Sequence, residues 1–470
     1  MLDFSLAPRK NEMIDTLCTL LKIKSVKSEP TELMPFGKGV FTVLMKMLEI
    51  ADHMDFDSVN LYSHLGYVDY GEGDETVVVL THLDVMPAGE GWTVPPFDGT
   101  VKDGRVYGRG AIDNKGPAVA ALYALSALKE NGANLKRRIR LLFGCDEESG
   151  WSDIAYYKER VGQIPQFGIS PDAEFPIINS EKGLVHLAVV MTPSEKEEVG
   201  PKGAPEIVSF EAGERVNSVP SKAECLLRGP VEAIGKLAKL FGSEPGRPVE
   251  IETIPDEASD TIKVICHGES AHGSKPGEGV NAAAWLIRFL CTMPLANNGP
   301  ADFVQLINKN IGTETDGAAM HINRVDRSGA LSLNMGYVKA DAETCEAGLD
   351  IRYPITCTET YITDKIKTYF SGCDVETRFA LPSHYVEEDG FLVQSLKKVY
   401  TEMTGEKAYC LSAGGATYAR SFPNCVAFGP LFPGQTATEH QPDEYIEIES
   451  FVKLADILAD AMMTLGEGTN

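Results

Sequence analysis

The sequence lacks the features that would place the protein in a membrane or outside the cell. It contains no apolar run that approaches the roughly 20 residues of a membrane-spanning helix. Residues 1–15 carry acidic side chains and no apolar core, so they do not resemble a secretory signal peptide. The ten cysteines include no C-x-x-C pair, and several lie in apolar runs, which is typical of buried free thiols in a reducing compartment. We therefore expect a cytoplasmic protein.

Positive charge is also scarce. The chain has 43 Lys and Arg residues against 68 Asp and Glu residues, which gives a formal net charge of −25 at pH 7. Such a surface repels phosphate backbones and anionic lipids, so we expect neither nucleic acid nor a membrane as a partner. The simplest interpretation of the acidity is that it keeps the protein soluble.

The length and the apolar pattern predict two domains. A chain of 470 residues is too long for one ordinary core. Continuous apolar strands alternate with helices in residues 1–183 and again in residues 384–470, which predicts one discontinuous α/β domain with a mostly parallel sheet flanked by helices. Between them, residues 184–383 alternate apolar and polar positions with many Gly and Pro breaks. This pattern predicts an inserted α+β domain with an antiparallel sheet.

Individual elements can be placed from the same patterns. Apolar runs predict strands at 76–80, 139–143, 167–169 and 424–428. Helical spacing predicts helices at 10–24, 117–129 and 391–403. A last helix is expected to begin near Pro442, because proline suits the first turn of a helix.

Histidine and acidic side chains follow three of the predicted strands: His82 and Asp84 after the first, Glu147 and Glu148 after the second, and Asp172 after the third. In open α/β sheets, ligands gather at the carboxyl ends of the strands, so these side chains are expected to converge. Since His82 and Asp84 are two apart in an extended segment, they face the same way. Asp84 can then accept the second N–H of His82 and fix which ring nitrogen points at a metal.

Two further candidates lie in loops that precede helices. Asp113 lies in the glycine-rich segment 108–117, and His440 follows Glu439 before the last helix. Each candidate alone has a commoner explanation, such as a helix cap for Asp113, a solvated turn for the adjacent glutamates or a surface histidine. Together they supply two imidazoles and several carboxylates. That set has too many acids for a structural zinc site and suits a two-metal hydrolytic site with a bridging acid.

An ordered set of motifs extends over nearly the whole chain. The motifs are His82-Leu-Asp84-Val-Met-Pro, Gly108-Arg-Gly-Ala-Ile-Asp113-Asn-Lys-Gly-Pro, Asp146-Glu-Glu-Ser-Gly-Trp151, Pro171-Asp-Ala-Glu-Phe-Pro176, Gly213-Glu-Arg-Val-Asn217-Ser-Val-Pro, Ser270-Ala-His272-Gly-Ser-Lys-Pro, Asp350-Ile-Arg352, Gly414-Gly-Ala-Thr-Tyr-Ala-Arg420 and Glu439-His440. In this order they resemble the di-metal aminoacylase and carboxypeptidase superfamily, and within it the PepV-type dipeptidases. The resemblance implies that the α/β domain is catalytic and that the insertion is a lid.

The resemblance also implies a role for each site residue. His82, Asp113 and Asp172 would hold one metal, and Asp113 would bridge to a second metal held by Glu148 and His440. Asp84 would orient His82, and Glu147 would be the general base. His272 on the lid would stabilise the oxyanion, while Asn217 and Arg352 would hold the terminal carboxylate of the substrate. The Asp113–Asn114 peptide bond would be cis.

We therefore expect a metal-dependent dipeptidase that acts on small peptides with a free carboxylate. It would use two divalent ions, with zinc expected first and manganese or cobalt also suitable. A deacylase of N-acyl amino acids, of the deacetylase or desuccinylase type, is the close alternative, and an inactive metal-binding protein is the remote one. The large insertion resembles lids that stand in for a missing partner subunit, which predicts a monomer. Ala416 departs from a Gly-Gly-Gly-Thr motif, and its methyl group could change specificity.

Overall fold

The computed structural model describes residues 5–193, 201 and 203–468. The chain divides into two compact units. The first unit comprises Met1–Ser180, Tyr385–Leu411 and Ala416–Asn470, and the second comprises Glu181–His384 and Ser412–Gly415. The short segment Ser412–Gly415 therefore belongs to the second unit, although the sequence pattern had assigned it to the α/β domain.

The helices of the described chain are distributed over both units. In chain order they are α1 (Lys10–Leu21), α2 (Lys38–His53), α3 (Lys115–Glu130), α4 (Ser152–Val161), α5 (Val231–Gly242), α6 (Ala282–Leu290), α7 (Gly299–Asn310), α8 (Glu359–Tyr369), α9 (Phe391–Thr404) and α10 (Ile448–Glu467). Short 3-10 turns occur at Ala7–Arg9, Pro276–Glu278, Ala318–Met320 and Tyr418–Ser421. No helix of this part of the chain is both long and apolar enough to cross a bilayer.

The strands that the structure describes form two large sheets and three small ones. In chain order they are β1 (Val59–Leu61), β2 (Leu65–Tyr70), β3 (Thr76–His82), β4 (Thr100–Lys102), β5 (Arg105–Tyr107), β6 (Arg138–Gly144), β7 (Phe167–Ser170), β8 (Ala173–Glu174), β9 (Ile177–Glu181), β10 (Gly183–Met191), β11 (Glu206–Ala212), β12 (Lys222–Arg228), β13 (Glu250–Asp256), β14 (Thr261–His267), β15 (Val325–Asp326), β16 (Gly329–Ala330), β17 (Ser332–Ala340), β18 (Cys345–Tyr353), β19 (Asp374–Leu381), β20 (His384–Tyr385), β21 (Cys410–Ala413), β22 (Cys425–Ala427), β23 (Pro430–Leu431) and β24 (Tyr445–Glu447).

The first unit is built on a nine-stranded mixed sheet. Its main path runs β1-β2-β6-β3-β7-β22-β9-β20, and β21 pairs with β9 off that path. The pairs β6–β3, β3–β7 and β7–β22 are parallel, whereas β1–β2, β2–β6 and β22–β9 are antiparallel. Every residue of β3 is buried, as expected for a strand covered by helices on both faces. The predicted α/β class is confirmed, and the parallel pairs join the adjacent strands β6, β3, β7 and β22.

Helix α3 is the central helix of this unit. Its residues from Lys115 to Leu128 are buried, and it packs against α1, α10 and β3. Alanines make up much of its length, and their small side chains let neighbouring helices approach closely. The helix starts directly after Asn114, so its first turn places the preceding Gly108–Asp113 loop at the edge of the sheet.

The second unit contains an eight-stranded sheet of antiparallel pairs, in the order β13-β14-β12-β11-β17-β18-β10-β19. Side chains alternate between its two faces, as the period of two in the sequence predicted. On β18, Leu349 and Ile351 belong to the apolar core of the unit. Asp350 and Arg352 alternate with them and therefore lie on the opposite, polar face.

The predicted start of the last helix is wrong. Helix α10 begins at Ile448 rather than near Pro442. Residues Tyr445–Glu447 are extended because they pair antiparallel with β5. Proline at 442 is compatible with the first turn of a helix, but the long-range strand pairing decides the conformation of the segment that follows.

We predict that Leu458→Ala destabilises the first unit by about 2–5 kcal/mol, because Leu458 on α10 is fully buried and the change leaves a cavity. The matched control is Leu33→Ala, since Leu33 in the same unit is 75% exposed and should cost less than about 0.5 kcal/mol. Urea unfolding followed by circular dichroism measures both. Equal midpoints for the two variants would contradict the packing of α10.

Candidate di-metal active site

Three parallel strands bring the predicted ligands to one edge of the sheet. His82 is the last residue of β3 and lies opposite Gly144, the last residue of β6. Glu147 and Glu148 lie in the turn that follows β6, and Asp172 follows β7. Because β6, β3 and β7 are adjacent and parallel, their carboxyl ends meet at the same edge.

The five predicted ligands form two groups that share one carboxylate. His82, Asp113 and Asp172 make up the first group, and Asp113, Glu148 and His440 make up the second. Within each group the candidate ligand atoms lie within 4.8 Å of one another. Oδ1 of Asp113 is 2.9 Å from Nε2 of His82, and Oδ2 is 3.0 Å from Nε2 of His440. The two oxygens of one side chain thus face two different histidines.

The donor atoms at this edge suit cations. Nε2 of His82 is buried and lacks a well-aligned hydrogen-bond partner in the described chain, although two carboxylates lie within 3.6 Å of it. A buried ring nitrogen without a partner is costly unless something else coordinates it. Imidazole and carboxylate donors around a shared Asp are typical of two-metal hydrolytic sites. The residues therefore fit a pair of divalent cations.

Electrostatic crowding supports the same interpretation. Burial, together with the charge of Asp113, raises the pKa of Glu148 to about 7, although His440 acts in the opposite direction. Burial and then the charge of Asp172 raise the pKa of Glu147 well above its usual value. Carboxyl groups packed this closely repel one another once ionised. Protons or bound cations must balance their charge.

Asp84 lies beside His82 but holds it differently from the prediction. Nδ1 of His82 is 3.0 Å from the main-chain carbonyl oxygen of Asp84 and 3.5 Å from its carboxylate. The Asp84 carboxylate instead accepts the backbone N–H groups of Glu147 and Glu148, at 3.2 and 3.1 Å. Asp84 therefore orients the histidine through its main chain and the glutamate turn through its side chain.

Asn114 connects the two sides of the first ligand group. Its Oδ1 accepts the backbone N–H of His82, and its Nδ2 donates to Oδ1 of Asp172 at 2.8 Å. The Asp113–Asn114 peptide bond is cis, as the resemblance implied. An amide at this position can donate to Asp172, which an ionised carboxylate could not do.

Glu444 is a site residue that the sequence analysis missed. Its side chain is fully buried, and Oε1 accepts the backbone N–H groups of Gly110, Ile112 and Asp113 at 3.0 to 3.2 Å. Oε2 accepts a 2.7 Å hydrogen bond from Arg109. Glu444 thereby fixes the loop that presents Asp113. A glutamate four residues after His440 belongs to no motif, so only the fold identifies it.

A second buried acid holds the turn before Glu147 in the same way. Asp153 accepts the backbone N–H groups of Cys145 and Asp146 at 2.6 and 3.1 Å. The hydroxyl of Tyr418 donates to the same carboxylate at 2.5 Å. Tyr418 lies within the Gly414–Arg420 motif, but the motif alone indicates no role for this side chain. These contacts hold the start of the turn that carries Glu147 and Glu148.

The second unit brings the other three predicted residues into one neighbourhood. Ser218 forms a β-bridge with His272, and the N–H of Gly273 donates to the carbonyl of Asn217 at 2.8 Å. Nη1 of Arg352 donates to the carbonyl of Gly414 at 3.1 Å. Nδ1 of His272 accepts the N–H of Ser274 at 3.2 Å. The neutral His272 ring then carries its proton on Nε2, which can act as a donor.

Comparison with known proteins gives consistent results. The model of "Peptidase family M20/M25/M40" matches residues 78–464. A Bacillus subtilis (strain 168) protein named "Putative dipeptidase YtjP" is 37% identical over 467 residues, which covers 98% of each chain. A Staphylococcus haemolyticus (strain JCSC1435) protein named "Putative dipeptidase SH1171" is 32% identical over 464 residues, which covers 97% of each chain.

The fold also agrees with that of a solved structure. Aminoacylhistidine dipeptidase from Vibrio alginolyticus superposes with a TM-score of 0.59 at 14% identity, over 99% of this chain and 97% of the other. At this identity the likeness concerns the fold alone. The family assignment depends instead on the sequence match across most of the chain, and it agrees with the paired ligand groups at the sheet edge. The chain belongs to peptidase family M20/M25/M40 and is a hydrolase of the metallopeptidase class.

Proposed function

We propose that this protein is a metal-dependent dipeptidase that hydrolyses the peptide bond of small peptides with a free carboxylate. The observation that carries the proposal is the Asp113 carboxylate, whose two oxygens each face a histidine of a different ligand group. The dipeptidase names of relatives that match it end to end support the choice of substrate class.

The first ligand group would hold one divalent cation and the second group the other, with Asp113 between them. Zinc is the ion we expect from the mixed nitrogen and oxygen donors, and manganese or cobalt also suits them. When bound, two such ions supply Lewis acidity and lower the pKa of a water molecule.

Glu147 is the residue that we assign to proton transfer. It is adjacent in sequence to the ligand Glu148, and a carboxylate at this place can hold a proton between two steps. In the proposed reaction, Glu147 takes the proton of the attacking water and later gives it to the leaving amine. The turn that carries Glu147 is anchored through Asp84, so the base is held in place before the substrate binds.

The second unit would act as a lid and bind the substrate. His272 can donate its Nε2–H to the oxyanion that develops on the scissile carbonyl. Arg352 offers a planar fork to the terminal carboxylate, and Asn217 adds an amide donor. Closure of the lid would exclude water and limit the length of the peptide.

We also propose a cytoplasmic monomer. None of the ten cysteines, all of which lie among the described residues, forms a disulfide, and six of them are buried, which is expected in a reducing compartment. The proposal of a monomer rests on the size of the second unit, Glu181–His384 with Ser412–Gly415, which resembles lids that stand in for a missing partner subunit.

We expect Glu147→Gln to retain metal while kcat on dipeptides falls by about two or more orders of magnitude, because the amide cannot accept the proton. The matched control is Glu159→Gln on the exposed face of α4, which should leave kcat unchanged. Rates are measured on dipeptides and on N-acetyl and N-succinyl amino acids. Faster turnover of the acyl amino acids would favour the deacylase alternative, and a wild-type-like rate for Glu147→Gln would remove the base assignment.

Metal content should depend on which ligand is removed. Asp172→Ala and His440→Ala are each expected to lose about one metal equivalent, whereas Asp113→Ala should lose both because it serves both groups. Elemental analysis after dialysis measures the equivalents, with Glu159→Ala as the control. Two full equivalents in Asp113→Ala would contradict a shared carboxylate.

The monomer proposal can be tested by mixing two inactive variants. His272→Ala and Glu147→Gln each lack one function, and in a monomer neither chain can supply the missing group to the other. We therefore expect no recovery of activity in the mixture and no dependence of specific activity on protein concentration. Recovered activity would show that His272 is supplied by a second chain.

A further inference from the structure

Asp350 is a buried acid in the second unit that belongs to neither ligand group. It lies in the middle of β18, its side chain is fully buried, and its strand neighbours are Asn334 on one side and His186 on the other. Oδ1 accepts a 2.7 Å hydrogen bond from Nε of Arg352, and Oδ2 accepts a 3.0 Å hydrogen bond from Nη2. The carboxylate thus binds one complete edge of the guanidinium group.

The hydrogen bonds of Arg352 within this unit leave two of its donors for a ligand. A guanidinium group has five N–H donors in a fixed plane. Asp350 takes two of them, and the carbonyl of Gly414 takes one on Nη1. Two donors remain, one on each terminal nitrogen, which is the number that a bidentate carboxylate requires. The pair is buried, so the guanidinium plane cannot rotate without breaking these bonds.

The same carboxylate also borders the His272 loop. A Cβ atom added to Gly273 would lie 2.7 Å from Oδ2 of Asp350 and 2.9 Å from the carbonyl carbon of Asn217. Glycine is therefore required for this close approach. The amide of Asn334 donates to the carbonyls of Val216 and Ser218, on either side of Asn217. Asp350 is thus packed where the Asn217, His272 and Arg352 segments meet within this unit.

We propose that Asp350 is a positioning residue that makes the enzyme selective for substrates with a free carboxylate. It acts by holding Arg352 in the plane where two N–H donors face the substrate. This inference rests on the proposed function, because Arg352 must be the residue that binds the carboxylate. Asp350 also lowers the cost of burying the Arg352 charge, which would be larger for an unpaired guanidinium group.

Replacement of Asp350 by asparagine tests whether Asp350 positions Arg352. In Asp350→Asn the new amide would keep the volume of the side chain, but it would lose the charge and present an N–H₂ group to one of the guanidinium donors. Two donors that face each other push Arg352 out of its plane. Binding of a carboxylate should then weaken, whereas binding of a neutral C-terminal amide should change little.

The experiment compares a dipeptide with its C-terminal amide, and an N-acetyl amino acid with its amide. For Asp350→Asn we expect the ratio of kcat/KM for the acid to that for the amide to fall by on the order of tenfold or more. The loss should appear in KM for the acid, with kcat at saturation within a few fold of wild type. The control is Glu346→Gln on the same strand, where the carboxylate accepts a hydrogen bond from Tyr337, and the ratio should not change.

Further variants keep the test decisive. Arg352→Ala should lower the ratio at least as far, and adding Asp350→Asn to it should lower the ratio no further, because both changes act through one guanidinium group. Asp350→Glu shifts the carboxylate by one methylene and should lower the acid-to-amide ratio by an intermediate amount. This variant replaces Asp350→Asn in the test if Asp350→Asn does not fold. Melting temperature and metal content are measured for each variant.

The outcomes are distinguishable. An equal fall for acids and amides in Asp350→Asn, or an additive loss in the double variant, would overturn the positioning role and leave Asp350 a structural residue. If wild type cleaves only the acyl amino acids, the dipeptidase proposal fails, while the acid-to-amide ratio on that second pair still tests Asp350. A wild type that does not distinguish acids from amides would overturn the inference directly.

Discussion

The concentration of carboxylates at one buried sheet edge is the constraint on which the rest of the first unit depends. Asp113, Glu147, Glu148 and Asp172 lie close enough that their charges alter one another's pKa. Like charges in a poorly solvated site disfavour the compact state unless cations or protons balance them. The two histidines on either side of Asp113 each complete a group of nitrogen and oxygen donors that suits a cation.

The loops that carry these ligands are held by a second set of acids. Asp84, Glu444 and Asp153 each accept two or more backbone N–H groups from a loop or turn of the site. They satisfy loop donors that no helix or strand could satisfy, and they fix the ligands before a cation binds.

The second unit, proposed to bind the substrate, also contains buried residues that orient their neighbours. One face of its eight-stranded sheet is apolar. The polar face carries Asp350 and Arg352 on one strand, with Asn334 opposite Asp350 on the next strand. The loops that carry Asn217 and His272 are joined by main-chain hydrogen bonds. In both units, the residues proposed to bind a cation or a substrate are oriented by buried residues that have neither role. Precision of this kind is what a catalytic site requires of its supporting residues.

The α/β class, the inserted antiparallel unit and the five candidate ligands could be predicted from the amino-acid sequence. Continuous apolar runs such as Thr76–Leu80 can only be buried strands or helices, and the ordered motifs specify which polar residues follow them. Tertiary structure alone decided the start of α10, the main-chain contact between Asp84 and His82, and the parts played by Glu444 and Asp350. Each of these depends on pairing between groups that local propensity does not describe. A strand replaces a helical turn at Tyr445–Glu447 because β5 lies beside it, and a buried glutamate gains its role only from the N–H groups that the fold brings to it.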